Sequence, residues 1–167
     1  KDQIIGGIEG RGFKTAMKVL DRGRLHLSAI AMGIANRLID ESMSYALERK
    51  QFGKRIADFQ LIQAKIADSK TEHLAGKSMV EAVAQRYDSG EKVSTEASCC
   101  KLFCTEAVGR IADRALQIHG GAGYISNFAV ERFYRDVRLL RLYEGTSEIQ
   151  QLVIAKNLIK DWEKKAS

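Results

Sequence analysis

Glu144 stands in the stretch "LLRLYEGTSEIQQL", Leu139 to Leu152, after a run rich in arginine and immediately before Gly145, Thr146 and Ser147. Leu142 and Tyr143 give it partly apolar neighbours, and a carboxylate so placed has its pKa raised toward the range useful for proton abstraction. A helix N-terminus just beyond it would oppose that shift. On the residues alone, a general base and an acid complementing a helix start stay equally open.

Other groups with chemical potential have plainer readings. His119 opens "HGGAGY", a glycine-rich run that follows a helix, whereas a dinucleotide fingerprint follows a strand and opens a helix with Gly-x-Gly-x-x-Gly spacing. A Rossmann site is therefore rejected. One glycine there would serve as a helix cap, and Gly120, Gly121 and Gly123 together would let backbone approach a ligand closely, so a cap alone and a cap with ligand contact stay equally open on this feature. His119 itself suits a charge at a helix end and takes no catalytic role. "GKS" at Gly76 to Ser78 lacks the upstream glycine of a P-loop, where Thr71 stands, and falls inside a helix. Cys99, Cys100 and Cys104 are odd in number and close together, which suits a reducing compartment and not a disulfide framework. Cys100 and Cys104 have no second pair to complete a zinc site, so no metal is expected.

Arg132, Arg135, Arg138 and Arg141 recur every third residue, and the chain carries 27 Lys and Arg against 21 Asp and Glu, a net charge of +6. Both favour anionic partners. Interleaved Glu131, Asp136, Leu139, Leu140 and Leu142 make a salt-bridge network the better reading, and nucleic acid is not expected as a partner.

These residues need a scaffold, and the scaffold reads as helical. The 167 residues include no proline and 45% are apolar, which favours long uninterrupted helices in one domain. Helical spacing runs from Leu20 to about Arg49 through Leu27, Ile30, Ile34 and Leu38. After "FGKRIADFQ" (Phe52 to Gln60) a second run carries Ile62, Ile66, Leu74, Val80, Val83 and Tyr87, and Gly90 suits its left-handed terminator. A third helix is expected from an N-cap at Ser94 through Leu102, Phe103, Ile111 and Leu116 to Gly120 and Gly121. A short helix spans Ala129 to Asp136. The last helix follows Gly145, with Ser147 and Gln150 in capping-box spacing and an apolar face of Ile149, Val153 and Leu158. Four long helices with short joins predict an all-α antiparallel four-helix bundle over residues 16–167, preceded by a connecting segment over 1–15 that holds Gly6, Gly7, Gly10 and Gly12. No window approaches the roughly 18 apolar residues of a membrane span, and the opening lacks a signal-peptide pattern, so a soluble, unexported protein is expected.

Five stretches in one order, "LDRGR" (Leu20 to Arg24), "ALERKQFGKRIADFQ" (Ala46 to Gln60), "QIHGGAGY" (Gln117 to Tyr124), "VERFYRDVRL" (Val130 to Leu139) and "YEGTSEIQ" (Tyr143 to Gln150), make the chain resemble the C-terminal helical domain of the acyl-CoA dehydrogenases. The resemblance implies α,β-dehydrogenation of an acyl-CoA thioester, with Glu144 removing the α-proton while a β-hydride passes to flavin. Some members carry the base on the first helix instead, at the position held here by Gly23. The resemblance further implies that Arg49, Gln51, Phe52 and Gln60, together with Gln117, His119, Gly120 and Gly121, face the FAD of a neighbouring subunit. It places Thr146, Ser147 and Glu148 against FAD from the base-bearing subunit, and Asp21, Arg24, Tyr143 and Gly145 on the acyl-CoA side. Implied partners are acyl-CoA, an electron-transfer flavoprotein or similar acceptor, and further copies in a dimer or tetramer. The implied setting is a bacterial cytoplasm or a mitochondrial matrix. "KDQIIGGIEGRGF" resembles the exit from a preceding β-domain, so this stretch alone is expected to be inactive. A non-catalytic helical assembly module derived from the same fold is the alternative.

Overall fold

The computed structural model describes residue 4 and residues 8–166, the side chains of residues 14, 17 and 18 excepted. Gly6 and Gly7, part of the expected connecting segment, lie outside the described residues. Five α-helices follow in order: α1 (Gly12–Glu48), α2 (Gln60–Asp88), α3 (Ser94–His119), α4 (Ala129–Leu139) and α5 (Ser147–Ala166). The all-α architecture and the short fourth helix agree with the sequence reading. α1 starts at Gly12, eight positions before the expected Leu20 and inside the stretch expected to be a connector.

α3 is the central helix, in contact with every other helix. Its apolar stripe makes this possible: Ala97, Cys100, Cys104, Ala107, Val108, Ile111, Ala112 and Ala115 are buried at helical spacing, and their small side chains let neighbouring helices approach. Leu27, Ala31, Ala35 and Leu38 of α1 and Val130 and Val137 of α4 complete the main core. A smaller cluster of Ala46, Ile56 and Ile118, flanked by Tyr45, Phe59, Ile62 and Ile66, fixes the far end of α1 against α2 and α3. Several residues expected in the core are exposed instead, namely Ile30, Leu74, Ile149 and Leu158. The helices are apolar around more than the face this chain buries.

Two termini depart from the expected caps. Ser94 is the first residue of α3 and not its cap: Val93 holds that position, and Ser94 donates its hydroxyl to Asp21 Oδ1 at 3.1 Å. At α5 the cap is Thr146, whose Oγ1 accepts from the Ile149 N–H at 3.4 Å, while Ser147 donates to Glu106 Oε1 at 2.7 Å. The Ser147–Gln150 capping box does not form. Gly90 is left-handed as expected, and Gly120 ends α3 with φ +58.

Between α1 and α2 the chain forms a two-residue hairpin, β1 (Lys50–Gln51) against β2 (Lys54–Arg55). Phe52 and Gly53 both have positive φ, 52° and 79°, the backbone a type I′ turn demands. Phe52 is thereby presented at the tip with 91% of its surface open.

Candidate active site

Glu144 sits in the segment between α4 and α5, half-buried, with φ +57, and Gly145 follows at φ +89. A non-glycine residue held left-handed costs on the order of 1–3 kcal/mol. Gln150, fully buried in the first turn of α5, offsets it: Nε2 donates to the carbonyl oxygens of both Glu144 and Gly145 at 3.0 Å. Two such bonds contribute roughly 0.5–1.5 kcal/mol each, enough to balance the strain.

The turn aims the Glu144 carboxylate at α1. A Cβ at Gly23 would stand 2.5 Å from Oε2 and 3.0 Å from Cδ, so only glycine at this position leaves the carboxylate its place. The next residue, Arg24, is 3% exposed and pairs with Asp21, three positions before it, at 3.1 Å. The structure thus brings Asp21 and Arg24 to the same end of α1 as Glu144, with Arg24 Nη1 on Asp21 and its Nε buried without a partner among the described residues. Tyr143 turns elsewhere, to an open groove of about 880 Å³ that Ile30, Ile34, Tyr124, Leu139 and Leu142 also line.

Thr146, Ser147 and Glu148 form the start of α5. The Glu148 carboxyl is held below its ordinary value by its own backbone N–H and then by the Thr146 hydroxyl. Glu106 of α3 binds this segment from beneath, accepting from Ser147 and pairing with Arg141 at 3.0 Å. Of the four regularly spaced arginines, Arg141 alone makes a salt bridge among the described residues, and α4 ends before reaching it, so the expected network reduces to this pair.

A second group collects at the other end of α1. Arg49, Gln51, His119, Gly120 and Gly121 line one cleft of about 460 Å³ together with Tyr45 and Ile118. Phe52 and Gln60 line an adjoining cleft that shares Gln51, Ile56 and Ile118 with it. Gln117 is exposed and lines neither. His119 stacks on Tyr45 with ring centroids 4.3 Å apart, and its Nδ1 bonds the Ala115 carbonyl at 2.8 Å. His119 Nε2 is buried without a hydrogen-bond partner among the described residues. Among the described residues, no atom beyond the adjoining residues stands within 4 Å of where a Gly120 or Gly121 Cβ would lie. An exposed arginine, glycines with open space in front of them and an orphaned imidazole nitrogen fit a phosphate-bearing cofactor such as FAD.

The two groups are far apart. Gly23 and Arg49 are 26 residues apart along α1, about 39 Å at 1.5 Å per residue. One dinucleotide cannot reach both from a single chain.

Two residues of the Glu144 site escaped the sequence reading. Gln150 had been given to a capping box. Lys101 is fully buried, and its Nζ has no hydrogen-bond partner among the described residues. Burial pushes the ammonium below its ordinary value, against the pull of Glu106, Glu148 and Glu144, with Arg24 adding to the push. Its signal was present: Lys101 lies on the same face as Ala97, Cys104 and Val108, a cation within an apolar stripe. The neighbouring Cys100 and Cys104 thiols are driven by burial to about 11 and about 12, the range of inert structural cysteines.

A family model described as the acyl-CoA dehydrogenase C-terminal domain matches residues 10–159. The chain belongs to the acyl-CoA dehydrogenase family. Members of this family are flavoproteins, generally dependent on FAD. It is 50% identical over 160 residues to a 3-(aryl)acrylate reductase of Clostridium sporogenes, covering 96% of this chain and 42% of that protein. Identity is 46% over 160 residues to the caffeyl-CoA reductase-Etf complex subunit CarC of Acetobacterium woodii, with the same coverage. The fold matches butyryl-CoA dehydrogenase from Megasphaera elsdenii with a TM-score of 0.89 at 37% identity, over 92% of this chain and 40% of that one. The chain spans about two fifths of the length of these relatives. Among the described residues no helix is long and apolar enough to cross a membrane.

Proposed function

We propose that this chain is the C-terminal part of an FAD-dependent acyl-CoA dehydrogenase in which Glu144 takes the α-proton of an acyl-CoA thioester. The observation that carries the reading is the left-handed turn that lays the Glu144 carboxylate against Gly23, at the position where the family's other base would otherwise stand. An α-proton beside a thioester is weakly acidic, and its removal calls for a carboxylate fixed in place and partly shielded from water. Bound flavin supplies the acceptor for the β-hydride.

The chain's own residues divide the remaining work. The start of α5, with Thr146, Ser147 and Glu148, offers its N-terminal donors to one flavin, and Gly145, without a side chain, lets substrate approach Glu144 closely. Arg49, Gln51, Phe52, Gln60, Gln117, His119, Gly120 and Gly121 serve the flavin of a second copy, because the separation along α1 rules out the same one. Exposed Ile30, Leu74, Ile149, Leu158 and Trp162 give a second copy apolar surface to cover. Dimer or tetramer formation and an electron-transfer flavoprotein as acceptor complete the proposal, with the rest of the protein supplying the pocket walls that this stretch lacks. This stretch alone is inactive in that account.

A second reading runs the same chemistry backwards. Two relatives at 50% and 46% identity are named as reductases of aryl-substituted acrylates or their CoA esters. In that direction Glu144 in its acid form returns a proton to the α-carbon of an unsaturated thioester. Assaying the full-length protein in both directions, with saturated acyl-CoA and an artificial acceptor or with enoyl-CoA and a reduced donor, decides between them. A full-length protein that purifies without flavin absorbance and turns over neither substrate would sink both, and leave the assembly module.

A further inference from the structure

Gln150 is fully buried, yet it faces no hydrophobic task. Both hydrogens of its amide are used, one on the Glu144 carbonyl and one on the Gly145 carbonyl, each at 3.0 Å. Two carbonyl acceptors fix which end of the amide points at the turn, since only the nitrogen can donate. The fit is closed from the other side too: a Cβ on Gly145 would stand 2.6 Å from Gln150 Nε2. The arrangement is specific to glutamine. Asparagine is one methylene short, glutamate has no donor when ionised and sets a charge against two carbonyl oxygens, and an apolar residue leaves both carbonyls unpaired.

Glu144 and Gly145 are two consecutive residues at positive φ, and Glu144 has no intrinsic reason to stay there. Released from the amide, it relaxes to the ordinary right-handed or extended region, and its Cα–Cβ bond then points away from α1. The carboxylate cannot remain against Gly23 through such a change.

Resting on the reading of Glu144 as the base, we propose that Gln150 is the positioning residue for that carboxylate: its side-chain amide locks Glu144–Gly145 in the left-handed pair that presents the base over Gly23. Gln150 touches neither substrate nor flavin in this role. It acts through the backbone of the residue that does the chemistry.

The test uses the full-length protein with its flavin and compares Gln150→Met, which keeps the length and removes both donors, with Glu144→Gln. Deuterium uptake at the α-carbon of an acyl-CoA in D2O, with no electron acceptor present, reads proton abstraction alone. Gln150→Met is expected to lower both this exchange and kcat by about 100-fold, the order of loss for a misplaced catalytic group, with KM within ~3-fold and flavin content unchanged. Backbone amide exchange should accelerate over residues 144–149 and not elsewhere. α-Proton exchange within about twofold of the unsubstituted protein, or a raised KM at unchanged kcat, overturns the proposal. If Glu144→Gln exchanges α-protons normally, the assignment of the base has failed instead, and the amide protection judges Gln150: unaltered protection over 144–149 overturns the clamp, accelerated exchange upholds it. Should Gln150→Met not fold, Gly145→Ala, whose added Cβ displaces the amide with Gln150 still present, is expected to lose α-proton exchange by the same order and to accelerate amide exchange over residues 144–149, and α-proton exchange within about twofold or unaltered protection there overturns the proposal.

Discussion

The Glu144 carboxylate occupies the space in front of the Gly23 Cα, so closely that a methyl group there would stand 2.5 Å from Oε2. A base and an empty position on a facing helix are therefore one structural unit. Because the obstructed atoms are the far end of a flexible side chain, substitution at Gly23 should move Glu144 and not the helices. Gly23→Ala is expected to raise stability by roughly 0.5–1 kcal/mol, the usual gain for alanine over glycine inside a helix. Turnover by the full-length protein should fall by about 100-fold as the carboxylate swings away. Thermal melts and steady-state rates check the two opposite signs, and a stabilised variant with full activity would show that Glu144 does not need this place.

Glu144→Gln removes the proton acceptor and leaves the turn intact, since Gln150 bonds to backbone carbonyls that the substitution does not touch. Turnover is expected to drop by about 10²- to 10⁴-fold, the range for loss of a general base, with flavin content unchanged. Absorbance of the purified variant and its rate with acyl-CoA measure this. Near-normal turnover would remove Glu144 from the chemistry.

The helical bundle was legible because apolar residues recur at helical spacing in each long segment of a chain without proline, and the hairpin's interruption was marked by Gly53. The caps were not. Ser94 and Ser147 have the residue type of a cap, but each is drawn to a carboxylate from elsewhere in the fold, Asp21 and Glu106, and a neighbour takes the capping position. Periodicity also could not separate the face this chain buries from faces left exposed, as with Ile30 and Leu158. At the site, the nearness of Glu144 to Gly23 joins residues 121 positions apart in sequence, beyond the reach of local pattern; family likeness marked each position, and the turn geometry that connects them came only with coordinates. Gln150 has the spacing of a capping box, but its amide serves the Glu144 and Gly145 carbonyls instead.

Arg49 should behave unlike Glu144. Its backbone is anchored on both sides, donating to the Tyr45 carbonyl and accepting from the Ile56 N–H at 2.9 Å, while its side chain is exposed beside Gly120 and Gly121. Arg49→Ala is therefore expected to spare the fold and weaken flavin binding on the order of 10- to 100-fold, the worth of one charge-assisted hydrogen bond. Flavin retention after dialysis of the full-length variant reads the effect. Unchanged retention would separate this cleft from the cofactor.

Lys101 gives the last prediction, and its sign depends on pH. The ammonium is buried, and Nζ has no hydrogen bond among the described residues. Around it stand Glu106 on its own helix, Glu148 and Glu144 at the start of α5, and Arg24 on α1. Arg141 already holds Glu106, and Asp21 already holds Arg24. Burial prevails over the three carboxylates, so the folded pKa lies below the ordinary 10.5. Between the folded value and 10.5 the unfolded chain keeps a proton that the folded chain has released, and Lys101 makes stability rise with pH across that window. Below it, the folded protein carries the whole cost of the buried cation. Lys101→Met, similar in volume and uncharged, should therefore melt at the same or a higher temperature near pH 7, in line with the neutral to roughly 1–4 kcal/mol gain found when buried charges are replaced by apolar residues. The variant's stability should lose the alkaline rise contributed by Lys101. Melting curves of both proteins from pH 7 to about pH 10 test this, and a variant less stable at pH 7 would show that Glu106, Glu148 and Glu144 more than compensate the buried charge.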